Sequence, residues 1–533
     1  MRRLTEAFDS CCQNADFGKH PWMDIAGRRC FRFGILRISW LLGLFPIVPD
    51  WTAAGADVTL LINSESSQPL ASRVHLRDSA GKSVQPRALP VWRDHFVCNG
   101  SAQLQLAPGE YDYEIERGPE YNAAVGRLTV RNDAPLTVTN SLHRIADLAA
   151  EGWWSGDLHV HRAPEQIELL LRAEDLHIAP VITWWNRNSP KQPLPTNPLV
   201  RFDENRFYHL MGGEDERDGG ALLYFNLREP FDITRGQQFY PHSLAYAREI
   251  RKQKGVWIDL EKPFWWDLPA WVAAGVGDSI GLANNHLHRS GMFDGEAWGK
   301  PRNTNDFPSP RGNGLWSEHI YYHLLNCGIR IPPSAGSASG VLPNPVGYNR
   351  VYVQVDGELT WQKWWDGLRT GRCFVSNGPL LRCRANGQLP GHVFRSDGPV
   401  ELEVLLTSRD PVEAIEIVHN GKILRTVAVQ SSPTTQRLKI GDLRFNQSGW
   451  FLVRAVAKVP RTYRFASTGP FYLQIEDHPQ FISKSSAQFF LDWTHERMDQ
   501  IQLKDPTQRE EVLHYHREAE TFWKQRVAQG TTE

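Results

Sequence analysis

The chain has 533 residues, of which 41% are apolar and 22% are charged. This composition is typical of globular proteins, and usual domain sizes of about 100 to 200 residues predict two to four domains. The 59 basic and 60 acidic residues leave a formal charge of −1, so neither a nucleic-acid partner nor a broad anionic-membrane surface is predicted.

Residues 1–56 have the pattern of an export leader. A basic stretch at 28–37 precedes an apolar run at 38–48, and Ala-Gly-Ala at 54–56 has the spacing that signal peptidases accept. The mature chain is predicted to start near Asp57 and to be periplasmic or extracellular. The basic stretch resembles part of a twin-arginine signal, and an ordinary secretory signal or a short membrane anchor is the alternative. No later apolar run approaches the roughly 20 residues that span a bilayer, so no integral membrane domain is expected in the mature chain.

The rest of the chain divides into four segments. Residues 57–147 alternate short apolar runs with turn residues, which predicts a β-sandwich module. Residues 148–380 alternate strand-like with helix-like segments, which predicts an α/β barrel or an open parallel sheet. Strand patterns return at 381–476 as a second β-sandwich module. Residues 477–533 form a charged helical tail that is expected to lie on the surface.

Four cysteines follow the leader and form no CxxC pair: Cys98, Cys327, Cys373 and Cys383. Their spacing excludes zinc-finger and thioredoxin-type sites. A Cys373–Cys383 disulfide and buried free thiols are the two alternatives.

The first strand of the α/β segment carries the strongest chemical signal, GDLHVH at 156–161. Because side chains alternate along a strand, Asp157, His159 and His161 are expected on one face. Neutral imidazole is the commonest protein ligand for transition metals, and a neighbouring carboxylate can orient it. The motif therefore predicts a metal site, in a segment whose chemistry is expected at the carboxyl ends of the strands.

GDLHVH, the following helix, the strand at 180–184 and NGPL at 377–380 together resemble the PHP (polymerase and histidinol phosphatase) superfamily. The nearest branch is the carbaryl-hydrolase-like CehA/McbA type, and the resemblance spans about residues 57–475. It implies a distorted (β/α) barrel flanked by β-sandwich modules, with two or three Zn, Mn or Fe ions. The superfamily mostly hydrolyses phosphate esters, and this branch includes amide and carbamate hydrolases.

The resemblance transfers only part of the family's ligand set. His159 and His161 match the opening pair, and Glu214 in MGGEDER matches the glutamate that bridges two metals. In the acidic run 214–216, only Glu214 is expected to point inward, with Asp215 and Glu216 in solvent.

Three other family motifs are replaced, so the usual metal cluster is not expected. Trp-Trp stands at 184–185 where the family has Asp-His, and Lys-Pro stands at 262–263 where it has His-Pro. The segment 336–340 lacks the family's final Asp and His.

Nearby residues offer substitutes for the missing ligands. Asp259 and Glu261 alternate on one strand, and a second HxH lies at 286–288. The alternative for the two carboxylates is an ion pair with Lys262. The alternative for His286 and His288 is a purely structural role.

The predicted metal centre holds one or two divalent ions, Zn, Mn or Fe, on nitrogen and oxygen ligands. Its proposed ligands are His159, His161, Glu214, Glu261 and His286. Asp259 or Glu261 is the candidate general base. Such a centre would activate water for hydrolysis of an ester, amide or phosphoester, and three protein ligands with an open position would suffice.

Tryptophan is abundant, with 20 residues, and adjacent pairs lie beside the proposed ligand strands at 153–154, 184–185 and 265–266. One indole of each pair is expected in the core and the other in the pocket, where it would suit a small aromatic or sugar-containing substrate. The competing function is a catalytically degenerate PHP-like protein that binds a carbohydrate or a surface partner. Plain core packing is the alternative for any single tryptophan.

Overall fold

The computed structural model describes residues 55–131, 134–186, 195–395, 398–430, 435–475 and 481–532. It is a mixed α/β protein with several β-sheets, which confirms the predicted class. The predicted leader up to residue 54 lies outside the described residues. Among the helices that are described, none has the length and apolar character needed to cross a bilayer.

Two antiparallel-rich sheets form the N-terminal module. The first pairs β1 (Ala56–Ser64) with β5 (Ser101–Leu106) and β8 (Leu136–Leu142). The second contains β2 (Ala71–Asp78), β3 (Val91–Trp92), β4 (His95–Asn99), β6 (Gly109–Glu116) and β7 (Ala124–Val130). Alternate side chains of β1 and β2 are fully buried in the core that the two sheets share: Val58, Leu60, Ile62, Val74 and Leu76. Burial alternates along β1 with a period of two, as the alternating apolar residues of this segment predicted.

The central sheet carries the site. Its strands are β9 (Trp153–Gly156), β10 (Ile178–Trp185), β11 (Leu199–Phe202), β12 (Arg206–Arg217), β13 (Gly220–Phe225), β14 (Trp257–Leu260), β15 (Ser279–Ala283) and β16 (Pro333–Ala335). The strands β9, β10 and β12 pair in parallel, as do β14, β15 and β16. The β13 strand runs antiparallel to both of its neighbours, β12 and β14. The sequence pattern predicted an α/β barrel or an open parallel sheet, but the pairing is mixed, because β11 also runs antiparallel to β12.

Residues 157–161, which follow β9, form backbone hydrogen bonds on both sides. On one side Ile182 N donates to Val160 O at 2.8 Å, and on the other Leu158 N donates to Ala335 O at 2.9 Å. The chain from β9 to residue 161 thus lies between β10 and the end of β16. These backbone hydrogen bonds close the strands from β9 to β16 into a ring.

Five helices accompany the central strands: α1 (Ile167–Glu174), α2 (Ser243–Ile250), α3 (Leu268–Ala273), α4 (Gly312–Asn326) and α5 (Trp361–Arg369). A left-handed Asp175, with φ of 50°, ends α1, and Arg251 follows the last residue of α2.

The central sheet continues into the second β-rich region without a break. Beyond β9 the sheet adds β17 (Arg350–Gln354), β18 (Cys373–Ser376), β26 (Phe465–Thr468), β25 (Gly449–Ala457), β22 (Val412–His419) and β23 (Lys422–Ala428). A facing sheet contains β19 (Leu380–Ala385), β21 (Val400–Thr407) and β24 (Gln436–Leu443), and β20 (Val393–Phe394) pairs with β27 (Phe471–Leu473). The pairing of β18 with β26 therefore crosses the boundary predicted at residue 380.

The C-terminal tail forms α6 (Lys484–Gln500) and α7 (Pro506–Ala528). Both helices carry fully buried tryptophans, Trp493 and Trp523, so the tail is anchored and not merely laid on the surface. The Trp523 indole N–H donates to Pro269 O in α3 at 3.1 Å. Charged residues dominate the tail composition and conceal this apolar face in the sequence.

All four cysteines of the described chain are free and buried. The Cys373–Cys383 disulfide is not formed. Burial raises the pKa of each thiol above its ordinary value, so these groups behave as small apolar side chains.

We expect Trp523→Ala to lower the free energy of unfolding by about 3–5 kcal/mol, because it opens a cavity beneath α7. Urea denaturation measures the effect. The neighbouring Phe522→Ala, at a partly exposed position, is the matched control and should cost much less. Equal losses in the two variants would contradict this packing.

Candidate metal centre

Four of the five proposed ligands lie together at one end of the central strands. His159 and His161 follow β9, and Glu261 follows β14. Glu214 lies near the carboxyl end of β12, which pairs in parallel with β10. Their positions agree with the expectation that chemistry gathers at the carboxyl ends of strands.

Three ligand atoms converge on one buried point. The Nε2 atoms of His159 and His161 are 3.0 Å apart, and Glu214 Oε2 lies 3.1 Å from His161 Nε2 and 3.5 Å from His159 Nε2. At most one proton can lie between the two ring nitrogens, and Glu214 Oε2 accepts no well-directed hydrogen bond from the described residues. Two imidazole nitrogens and a carboxylate oxygen in this arrangement suit a divalent transition metal.

Glu261 contacts His159 from the opposite side of the ring. Its Oε1 atom lies 3.3 Å from His159 Nδ1, so the imidazole can direct Nε2 toward Glu214. The same carboxylate accepts hydrogen bonds from Lys262 Nζ at 2.5–2.6 Å, from Asn285 Nδ2 at 2.7 Å and from Trp265 Nε1 at 2.9 Å. The structure thus brings Glu261 to the centre as a group that orients His159, and the ion pair with Lys262 is present.

The buried charges of the centre are strongly unbalanced. Burial alone would lower the pKa of His159, but Glu214 and Glu261 raise it to about 10. Burial and the neighbouring Glu214 raise the pKa of Glu216 to about 8. Without a metal, the site therefore holds protons on both groups at neutral pH. A divalent cation held by His159, His161 and Glu214 would take the place of the extra proton on His159.

The acidic run on β12 is oriented differently from the expectation. Asp215 is buried and pairs with Arg217 at 2.7 Å. Glu216 faces the centre, on the same side of the strand as Glu214, and accepts a hydrogen bond from Trp185 Nε1 at 3.1 Å. The prediction that both residues lie in solvent is wrong. The period of two along a strand was the signal that would have placed Glu216 beside Glu214.

The tryptophan pair at 184–185 follows the expected division. Trp184 is buried in the core, whereas Trp185 is partly exposed and its ring lies 5.4 Å from that of His161. Trp265 is buried and binds Glu261 instead of lining an open wall.

Asp259, a candidate base, is held by two serine residues. Its Oδ1 atom accepts hydrogen bonds from the hydroxyls of Ser279 and Ser334, and burial raises its pKa to about 6. Among the described His, Asp and Glu side chains, the group that converges at this point consists of His159, His161 and Glu214. Asp259 does not belong to it.

The ring of His286 packs between Phe264 and Phe293, with centroid distances of 5.3 and 5.8 Å. Its Nδ1 atom is buried without a hydrogen-bond partner among the described residues. Burial and the nearby Lys262 lower the pKa of this imidazole to about 3, so it is uncharged. His286 is not part of the group that shares the ligand point with His159.

The segment 336–340 supports the centre through its backbone. A Cβ atom on Gly336 would lie 2.5 Å from the Cβ of His159, so only glycine permits this close approach. Ser337 N donates to Asp157 Oδ1 at 3.0 Å. This segment therefore packs against the chain around His159 and fixes its position.

No protein-family model matches this chain, and no curated protein matches it.

We expect Asp259→Asn to gain stability relative to the parent as the pH rises. A carboxyl whose folded pKa is raised to about 6 contributes stability that is complete below about pH 4 and is lost as the pH rises through 6. An amide at this position does not titrate. Between pH 4 and 7.5 the variant should gain about 2 kcal/mol in free energy of unfolding relative to the parent.

Urea denaturation at several pH values gives these stabilities. The exposed Asp499→Asn substitution on α6 is the control and should track the parent. Parallel profiles for Asp259→Asn and the parent would refute the elevated pKa.

Proposed function

We propose that this protein is an exported, metal-dependent hydrolase of ester, amide or phosphoester bonds. Convergence of His159, His161 and Glu214 on one buried point is the observation that carries the proposal. A Zn, Mn or Fe ion bound there would polarise a substrate oxygen and lower the pKa of a water molecule. Export rests on the leader pattern of the sequence alone.

A single ion is favoured over two. Lys262 places its ammonium group 2.5–2.6 Å from both oxygens of Glu261, so this carboxylate already has a buried cationic partner. Three ligand atoms remain around the shared point, which matches the ligand count of catalytic zinc sites. The fourth position is left for water or substrate.

Glu216 is the best-placed group for proton transfer. Its raised pKa keeps a proton on the carboxyl at neutral pH, and Trp185 fixes one of its oxygens. A protonated carboxyl beside the ligand point can donate to a departing alcohol or amine. Glu261 is better described as a positioning residue, because it acts through His159. Asp259 is bound by two serine hydroxyls and is less suited to a role as base.

Membership of the PHP superfamily is part of this proposal. The ring of strands from β9 to β16, and ligands at their carboxyl ends, are what a distorted PHP-like barrel requires. His159, His161 and Glu214 occupy the positions that the family motif gives to metal ligands. The antiparallel β13 and the missing family ligands are the departures.

A small substrate with a flat ring fits the surroundings of the ligand point. Trp185 is partly exposed and lies beside His161. A flat indole face binds aromatic rings and sugar rings well. We therefore expect aromatic esters, amides or phosphoesters to be better substrates than aliphatic ones.

The metal content of purified protein tests the centre directly. We expect about one equivalent of Zn, Mn or Fe in the parent and little in His159→Ala or His161→Ala, because each variant removes a converging ligand. Elemental analysis after metal-replete expression gives these values. His286→Ala is the matched control and should keep its metal.

Loss of metal in the His286 variant would restore this residue to the ligand set. An absence of metal in the parent would contradict the proposed hydrolase. It would instead favour a degenerate PHP-like protein that binds a carbohydrate or a surface partner through its tryptophans.

The pH dependence of hydrolysis tests Glu216. We expect the parent's kcat to fall as the pH rises through the pKa of Glu216, because the carboxyl then loses the proton that it donates. Glu216→Gln should lower kcat roughly 100-fold and abolish this alkaline limb. Stopped assays with p-nitrophenyl esters, anilides and phosphoesters provide the profiles.

Glu168→Gln, on the outer face of α1, serves as the control and should leave the profile unchanged. An alkaline limb that persists in Glu216→Gln would assign the proton to another group.

A further inference from the structure

A second cavity lies at the other end of the strands that carry the metal centre. Its volume is about 410 Å³, which is within the usual range for small-molecule sites. Its wall includes Trp154 at the start of β9, His177 just before β10 and Arg206 at the start of β12. Arg117 and Arg144 reach the cavity from the N-terminal module. The cavity is therefore distinct from the ligand point near His159.

The arginines of this cavity are held in fixed positions. Asp175 accepts hydrogen bonds from Arg117 at 3.0 Å, Arg144 at 2.8 Å and Arg206 at 2.7 Å. The guanidinium groups of Arg117 and Arg144 also lie over the ring of Tyr121, at 5.3 and 4.5 Å from its centroid. The donors are thus already arranged before a ligand arrives, which reduces the entropy lost on binding.

Several donors in this wall have no acceptor. Arg117 Nε, Arg206 Nε and Trp154 Nε1 are buried, and the described part of the chain provides no hydrogen-bond partner for them. Buried N–H groups are normally satisfied, so three such groups behind the wall of one cavity leave this part of the protein short of acceptors. A negative charge in the cavity would stabilise these donors without contacting them.

The charge balance favours a monoanion. The charged wall residues are three arginines and two aspartates, Arg117, Arg144, Arg206, Asp147 and Asp175. Burial lowers the pKa of His177 to about 3, so this ring adds no charge. Glu120 does not line the cavity but lies 3.4 Å from Arg144. Burial raises the pKa of Glu120 to about 7, which weakens its contribution.

Apart from Asn205, the remaining wall is apolar. Ala149, Ala150 and the indole of Trp154 form it, and the Trp154 ring meets that of His177 edge to face at 4.8 Å. An inorganic ion would leave this surface in contact with water. A ligand with an apolar body would cover it.

We propose that this cavity binds a small organic anion, in which one carboxylate or phosphate group faces the arginines and an apolar part packs against Trp154. Guanidinium groups recognise both kinds of anion through paired N–H donors. The assignment does not depend on the hydrolase proposal, because no metal ligand lines the cavity.

Isothermal titration calorimetry of the full chain with benzoate and with phenyl phosphate tests the proposal. We expect saturable binding of at least one, and at least about 10-fold weaker binding of the same anion to Arg206→Gln. Asp147→Asn should bind about 2- to 3-fold tighter, because it removes a half-exposed negative charge from the wall. Benzyl alcohol should show no saturable binding.

Two controls locate the binding. Arg201→Gln removes an exposed arginine outside the cavity, and His159→Ala removes a ligand of the metal centre, and both should bind like the parent. Trp154→Phe retains an apolar wall without the indole N–H, and it gives a second test if Arg206→Gln folds poorly. We expect it to bind more weakly than the parent.

Three results would overturn the proposal. The first is a lack of saturable binding of both anions up to about 10 mM. The second is unchanged affinity in Arg206→Gln and Trp154→Phe, or loss of binding in His159→Ala. The third is inorganic phosphate binding as tightly as phenyl phosphate, which would remove the organic part of the assignment.

Discussion

The buried carboxylate of Asp157 fixes the segment that carries His159 and His161. It accepts backbone hydrogen bonds from His159 N and Ser337 N at 3.0 Å and from Gly347 N at 2.7 Å. These three bonds join the histidine segment to two separate loops. An Asp157 without them would be a buried, unsatisfied charge, so the loops and the strand must adopt this arrangement together. The positions of His159 and His161 follow from that constraint.

The same folding brings more negative than positive charge into the centre. Glu214, Glu216 and Glu261 are close together, and Lys262 is the cation that accompanies them. Burial of like charges is costly, and proteins compensate by taking up protons or cations. The excess of buried carboxylates favours cations even before the ligand geometry is considered. Proton uptake in the site and the proposed binding of metal would have one electrostatic origin.

The sequence predicted those features that depend on short-range periodicity. The strand patterns and the pairing of His159 with His161 were legible because side chains alternate along a strand. The same rule would have placed Glu216 beside Glu214, but the acidic run was interpreted as solvated. The ring of His286 and the cavity arginines could not be placed, because their surroundings come from segments distant along the chain. The antiparallel β13 also depends on the neighbours it meets in the folded sheet.

The docking of the C-terminal helices has a consequence for the order of folding. Arg497 and Trp523 contact Asp267 and Pro269 across 230 and 254 residues of chain. Contacts of such sequence separation form late, because the long intervening loop must close first. A chain with a folded central sheet and undocked C-terminal helices would therefore expose the aromatic surfaces of Trp266 and Trp493, whose rings meet in the folded protein. Exposed surfaces of this kind promote aggregation, so we expect such chains to aggregate more readily than the folded protein.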